Sequence, residues 1–137
     1  MSGCGGCGSG YGGGGGSSPP PPAPLFALLT IEVPISGAGG DATFDSVATT
    51  PAGSRVYLAQ MDNSVGFSGG VPAISIGTPA LPSAYMTTAD NDPTITDTQQ
   101  KAQRTVVAAP AVVRVTVTGV PTAGTGVVTI FYATPAV

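Results

Sequence analysis

Near the end of the chain, apolar and polar residues alternate. Val113, Val115 and Val117 fall on one side of an extended backbone, with Arg114, Thr116 and Thr118 on the other. A period of two marks a half-buried β-strand. Gly119 to Gly126 then supplies turn residues, and a second β-rich run follows from Val127 to Ala133, with Val128, Ile130 and Tyr132 sharing a face. Two such runs around a Gly/Pro loop predict a closing hairpin, against which the earlier strands pack.

Upstream, the same reading gives a first strand over Leu25 to Ile35. Leu25, Ala27, Leu29, Ile31 and Val33 share its apolar face, and Pro34 marks its end or an edge position, because proline cannot donate to a ladder. Ala42 to Ala48 is a short strand anchored by Phe44, and Arg55 to Val65 is a longer one. Val71 to Ile76 and Tyr85 to Thr88 are brief strands, and Asp90 to Asp97 is turn-like. Thr98 to Thr105 (TQQKAQRT) is the one stretch with room for a helical turn, too short and polar for a full helix. About eight short strands with turn signals every eight to twelve residues predict an all-β fold, an antiparallel β-sandwich or jelly roll.

Composition divides the chain. At 137 residues it allows one ordinary domain. Ten of the 21 glycines lie in the first sixteen residues. Residues 1–24, MSGCGGCGSGYGGGGGSSPPPPAP, are therefore expected to form an extended arm or linker, with the sandwich domain over 25–137. Pro19, Pro20, Pro21 and Pro22 favour polyproline II, and an extended arm of this length reaches up to ~80 Å at ~3.3 Å per residue. Met1 to Gly16 has neither the charged nor the apolar region of a secretory signal, and the Leu25–Leu29 run is far short of the ~20 residues that span a bilayer. No membrane contact is expected, and the protein is read as kept in the cytoplasm or leaving it inside an assembly.

Charge is sparse. Arg55, Lys101, Arg104 and Arg114 are the basic residues, and the net charge is −3. Without a basic cluster, nucleic-acid binding is not expected. A surface of Thr, Ser, Ala, Gly and Pro suits burial against other subunits.

Candidate chemistry is correspondingly thin. Histidine is absent, so neither a Ser-His-Asp nor a Cys-His arrangement can be built within the chain. The single glutamate, Glu32, sits on the first strand, and the aspartates sit mostly in turn contexts. No catalytic residue, no cofactor and no enzymatic activity are expected. Cys4 and Cys7 form a CxxC among glycines, where no helix lowers a thiol pKa. A structural zinc needs four ligands. Arms meeting at a symmetry axis can complete a four-cysteine site or form interchain disulfides, and otherwise the thiols are free. With Tyr11 and the four prolines, the two cysteines are the candidate assembly residues of the arm. Asp90, Asn91 and Asp92 have the oxygen ligands of a calcium loop but not its spacing, and are read as a turn.

The stretch Phe67 to Thr88, FSGGVPAISIGTPALPSAYMTT, orders Phe67, Gly69, Ile74, Ile76, Gly77, Thr78, Tyr85 and Met86 ahead of Asp92, and the chain closes on VRVTVTGVPTAGTGVVTIFY. Over roughly residues 25 to 133 this resembles the small β-sandwich structural proteins of tailed bacteriophages. The glycine-cysteine arm lies outside the resemblance. What it implies is a virion component: a capsid decoration (cement), head-fibre or tail-associated protein, with the major capsid protein or other virion proteins as partners. A homo-oligomer is then expected, a trimer suiting local threefold positions. As a decoration protein its arm ties neighbouring subunits. As a tail or fibre module, loops around Gly77 to Pro82 or Asp90 to Pro93 contact a host receptor or glycan.

Overall fold

Strand β1 (Leu29–Ser36) forms because Ile31, Val33 and Ile35 alternate with Glu32, Pro34 and Ser36, and only the first set is buried. The structure is a computed structural model and describes residues 28–135. Cys4, Cys7, Tyr11 and Pro19 to Pro22 lie outside the described residues. After β1 come β2 (Ala42–Thr50), β3 (Arg55–Ser68), β4 (Ala73–Gly77), β5 (Thr98–Val106), β6 (Ala111–Thr118) and β7 (Ala123–Ala133). They build two antiparallel sheets, one of four strands in the order β1-β7-β3-β5 and one of three in the order β2-β6-β4. The expected all-β sandwich is the fold. Among the described residues no helix is long and apolar enough to cross a membrane.

Strands consecutive in the chain always lie in opposite sheets. This corrects the closing hairpin. β6 pairs with β2 and β4, while β7 pairs with β1 and β3. The alternation marks the buried residues correctly, but the two apolar faces meet across the core rather than side by side. Val113, Val115 and Val117 line the core from one sheet, and Val128, Ile130 and Tyr132 from the other. A hairpin would put both runs in one sheet and leave the facing sheet without its central strand. The connection through Gly119 and Val120 instead crosses the roughly 10 Å between packed sheets.

Two further expectations are corrected. Thr98 to Thr105 is not a helical turn but most of β5, an edge strand laid antiparallel on β3. Its polarity fits an edge, where Gln103 is buried, Gln99 and Thr105 are half-buried and the other residues are exposed. Tyr85 to Thr88 is not a strand. Met86 makes one isolated bridge to Ile76, and Thr88–Asp90 is a single 3-10 turn. Pro34 sits on the edge strand β1, where its missing donor leaves no gap in a ladder.

The long β3 outruns its partner. Beyond the β5 pairing, which ends at Asp62 opposite Thr98, the chain segment before β5 continues the contact as irregular backbone. Asn63 N donates to Asp97 O at 3.0 Å and Phe67 N to Pro93 O at 2.8 Å. A Cβ on Gly66 would run into the Thr94 carbonyl, so the residue between these two bonds is glycine.

Candidate functional site

One end of the sandwich gathers the start of β1, the turn after β2, the loop after β4 and the loop between β5 and β6. Leu29 stands opposite Tyr132 there, and Arg55 opposite Val106. The β2–β3 turn is pinned to the β5–β6 loop: Gly53 N donates to Val107 O at 2.7 Å and Val107 N to Ser54 O at 2.8 Å. Gly53 has φ +82, a conformation that L side chains rarely adopt.

Tyr85 organises this end from inside. Its N–H donates to Ile76 O at 2.9 Å, and its carbonyl accepts from the buried Gln103 amide. Burial raises its phenol above the usual tyrosine value, partly offset by a hydrogen bond to Thr50. Over Tyr85 lies a hollow of about 340 Å³, adjoined by a second of about 350 Å³ that shares Thr78, Ala80, Pro110 and Ala111 with it. Leu81 and Val106 are exposed beside them at 66% and 52%. The lining is apolar and small, and its one titratable group is the buried Tyr85.

The two loops expected to contact a ligand separate here. Gly77 to Pro82 contributes Thr78, Ala80 and Leu81 to the groove. Asp90 to Pro93 is bound up in the fold. Asp90 Oδ2 accepts from Thr87 N at 2.7 Å and pairs with Lys101 Nζ at 2.7 Å. Asn91 Nδ2 donates to Ile74 O at 2.9 Å. Asp92 Oδ1 accepts from Thr94 N and Oγ1 at 3.0 and 2.6 Å, while its backbone N–H and C=O are both taken by the Gln99 amide. These carboxylates serve turns, as the Asx-rich sequence predicts. Among the described residues, no group of three or more His, Cys, Asp or Glu stands ready for a metal. The groove wall at Val106 to Ala111 escaped the sequence reading, although its short apolar run with Pro110 was a usable signal. The tethering amides of Asn63, Gln99 and Gln103 carried none.

The aspartates give the fold an acid limit. Asp90 is held down to about 2, first by its bond to Lys101 and then by those to Thr87. Asp45 is lowered by the Arg114 guanidinium, which it binds through both oxygens at 2.7 and 2.9 Å, and Asp92 by Thr94. A carboxyl with a depressed folded pKa stabilises above its unfolded value and loses that contribution as pH falls through the folded one. Stability is therefore expected to fall between about pH 4 and pH 2, and only shallowly, because exposed pairs are weak. Urea midpoints across that window check it. A steep collapse above about pH 5 contradicts this assignment.

No protein-family model matches the chain, and no curated protein sequence matches it. Solved structures share its fold. A chain in the capsid asymmetric unit of cyanophage Pam1 superposes with a TM-score of 0.62 at 12% identity, over 91% of this chain and 98% of that one. A chain in the acid-stable capsid structure of Helicobacter pylori bacteriophage KHP30 gives 0.60 at 12% identity, over 82% and 95%.

Proposed function

We propose that this chain is a non-enzymatic virion structural protein, a decoration or cement protein that binds a bacteriophage capsid lattice and stabilises it. The observation that carries the reading is the match to chains of two phage capsid structures over 98% and 95% of their lengths. The resemblance therefore spans whole, similarly small sandwiches rather than one domain of a larger shell subunit. The strand order supports a jelly roll, with Met86 marking the place of an eighth strand beside β4. The partners are the major capsid protein or other virion proteins, with the chain as a homo-oligomer, taken as a trimer. Residues 1–24 act as the arm that ties neighbouring subunits. Each arm contact raises the effective concentration for the next, so weak sites become tight collectively.

Quantitative mass spectrometry of purified particles tests this. A near-integer ratio to the major capsid protein is expected, such as one per subunit or one per trimer. A handful of copies per particle moves the protein to the tail, as a binding module whose Gly77–Pro82 loop meets a host receptor or glycan. Removing residues 1–24 is expected to leave the unfolding midpoint of the sandwich unchanged and to abolish its stabilisation of the shell. Particles that resist heat equally well with the shortened protein overturn the role given to the arm.

A further inference from the structure

Two of the four basic side chains are already paired, Arg114 with Asp45 and Lys101 with Asp90. Arg55 and Arg104 have no ion-pair partner among the described residues, and both border one hollow. The pairing of β3 with β5 puts them there, beside a break in register. β3 and β5 pair Val56 with Thr105 and then Leu58 with Ala102, so Gln103 and Arg104 together stand opposite Tyr57. On its other side Tyr57 is again the extra residue, between Val56 opposite Tyr132 and Leu58 opposite Phe131. Bulges of this kind bend a strand and re-aim side chains. This one opens a hollow of about 470 Å³ lined by Arg55, Tyr57, Ala102, Gln103 and Arg104. Gln103 turns its amide inward to the Tyr85 carbonyl, leaving the two guanidinium groups as the free polar donors of the hollow.

We propose that this hollow binds the carboxylates of an acidic segment of a partner protein. Two like charges bordering one hollow, on a chain of net charge −3, gain from a shared anion. Arginine presents a planar fork of donors that matches a carboxylate through two bonds. The choice of a peptide rests on β5 being the edge of its sheet. An extended segment can add along that edge through backbone bonds while its acidic side chains reach Arg55 and Arg104, which a free oxyanion cannot do. That the partner is a neighbouring virion protein rests on the reading above.

The test uses the full chain and a fluorescent hexaglutamate peptide, followed by anisotropy, with inorganic phosphate and glucuronic acid as competitors. Binding is expected, weakening as salt rises. Arg55→Gln and Arg104→Gln each weaken it about tenfold, while Lys101→Gln and Arg114→Gln change it less than about twofold. Circular dichroism confirms that these surface variants remain folded. Unchanged affinity in both Arg55→Gln and Arg104→Gln overturns the proposal. Competition by phosphate or glucuronic acid at the same carboxylate-equivalent concentration overturns the peptide, in favour of a small oxyanion or a glycan. Because the assay contains no particles, its failure leaves the copy-number result standing, and a failed copy number leaves the peptide result standing.

Discussion

Phe67→Ala is expected to lower the unfolding free energy by about 3–5 kcal/mol, a large part of the roughly 5–15 kcal/mol that holds a domain together. Phe67 is 1% exposed, the largest side chain among those most fully buried. It closes the end of the sandwich opposite the groove, beyond the β3–β5 pairing. There its ring lies where a Cβ on Gly37 or Gly124 would be, 2.9 and 2.5 Å from the nearest ring atoms. Two glycines leave the space that the ring fills, and neither has a side chain to refill it when it is gone. The loss combines the transfer of an aromatic side chain with the cavity it leaves. Urea denaturation reads it as a lower midpoint with an unchanged slope. A loss below about 1 kcal/mol would mean that the Gly37 and Gly124 segments collapse onto the space. Gly124→Ala attacks the same contact from the other side. Its φ of +135 disfavours a side chain and its new methyl meets the ring, so destabilisation is expected there as well.

Individual strands were legible where a period of two coincides with β-branched residues. β6 is the clearest case, because Val113, Val115 and Val117 are all fully buried and their neighbours are not. Pairing was not legible. Alternation states which face is buried and is silent on which strand lies alongside, so it suggests a hairpin of β6 and β7 although they belong to facing sheets. β5 is hidden in the sequence for another reason. An edge strand with one buried residue has little apolar periodicity, and TQQKAQRT reads as readily for a helical turn. The groove depends on the same two gaps. It lies where the end of β5 meets the loop after β4, so neither wall announces it alone. Arg55 and Arg104 are far apart in sequence, and only the β3–β5 pairing brings them to one hollow.

Asn63→Asp exchanges one atom and is expected to cost about 3–5 kcal/mol at neutral pH. Asn63 is 1% exposed, and its Nδ2 donates to Pro93 O at 3.1 Å and Ile95 O at 3.3 Å. Two carbonyls around one nitrogen settle which way the amide points. Its Oδ1 has no hydrogen-bond partner among the described residues. An aspartate would therefore set a carboxylate oxygen against two carbonyl oxygens, with its other oxygen unsolvated. Both effects raise the carboxyl pKa in the folded state above the unfolded value of about 3.9. The sign follows. The protonated acid can still donate to one of the carbonyls, so the loss relative to the unsubstituted protein is smallest below about pH 4 and grows as pH rises through the raised folded pKa. Paired urea midpoints at acid and neutral pH measure this difference, each against the unsubstituted protein at the same pH. The same substitution should unpin the strap before β5, so the Phe67 and Asn63 amides, which bond to Pro93 O and Asp97 O, should exchange faster with solvent. An equal loss at both pH values would put the cause in packing rather than charge. Unchanged exchange at those two amides would mean that the backbone bonds alone hold the strap, with the buried amide contributing only to the core beneath it.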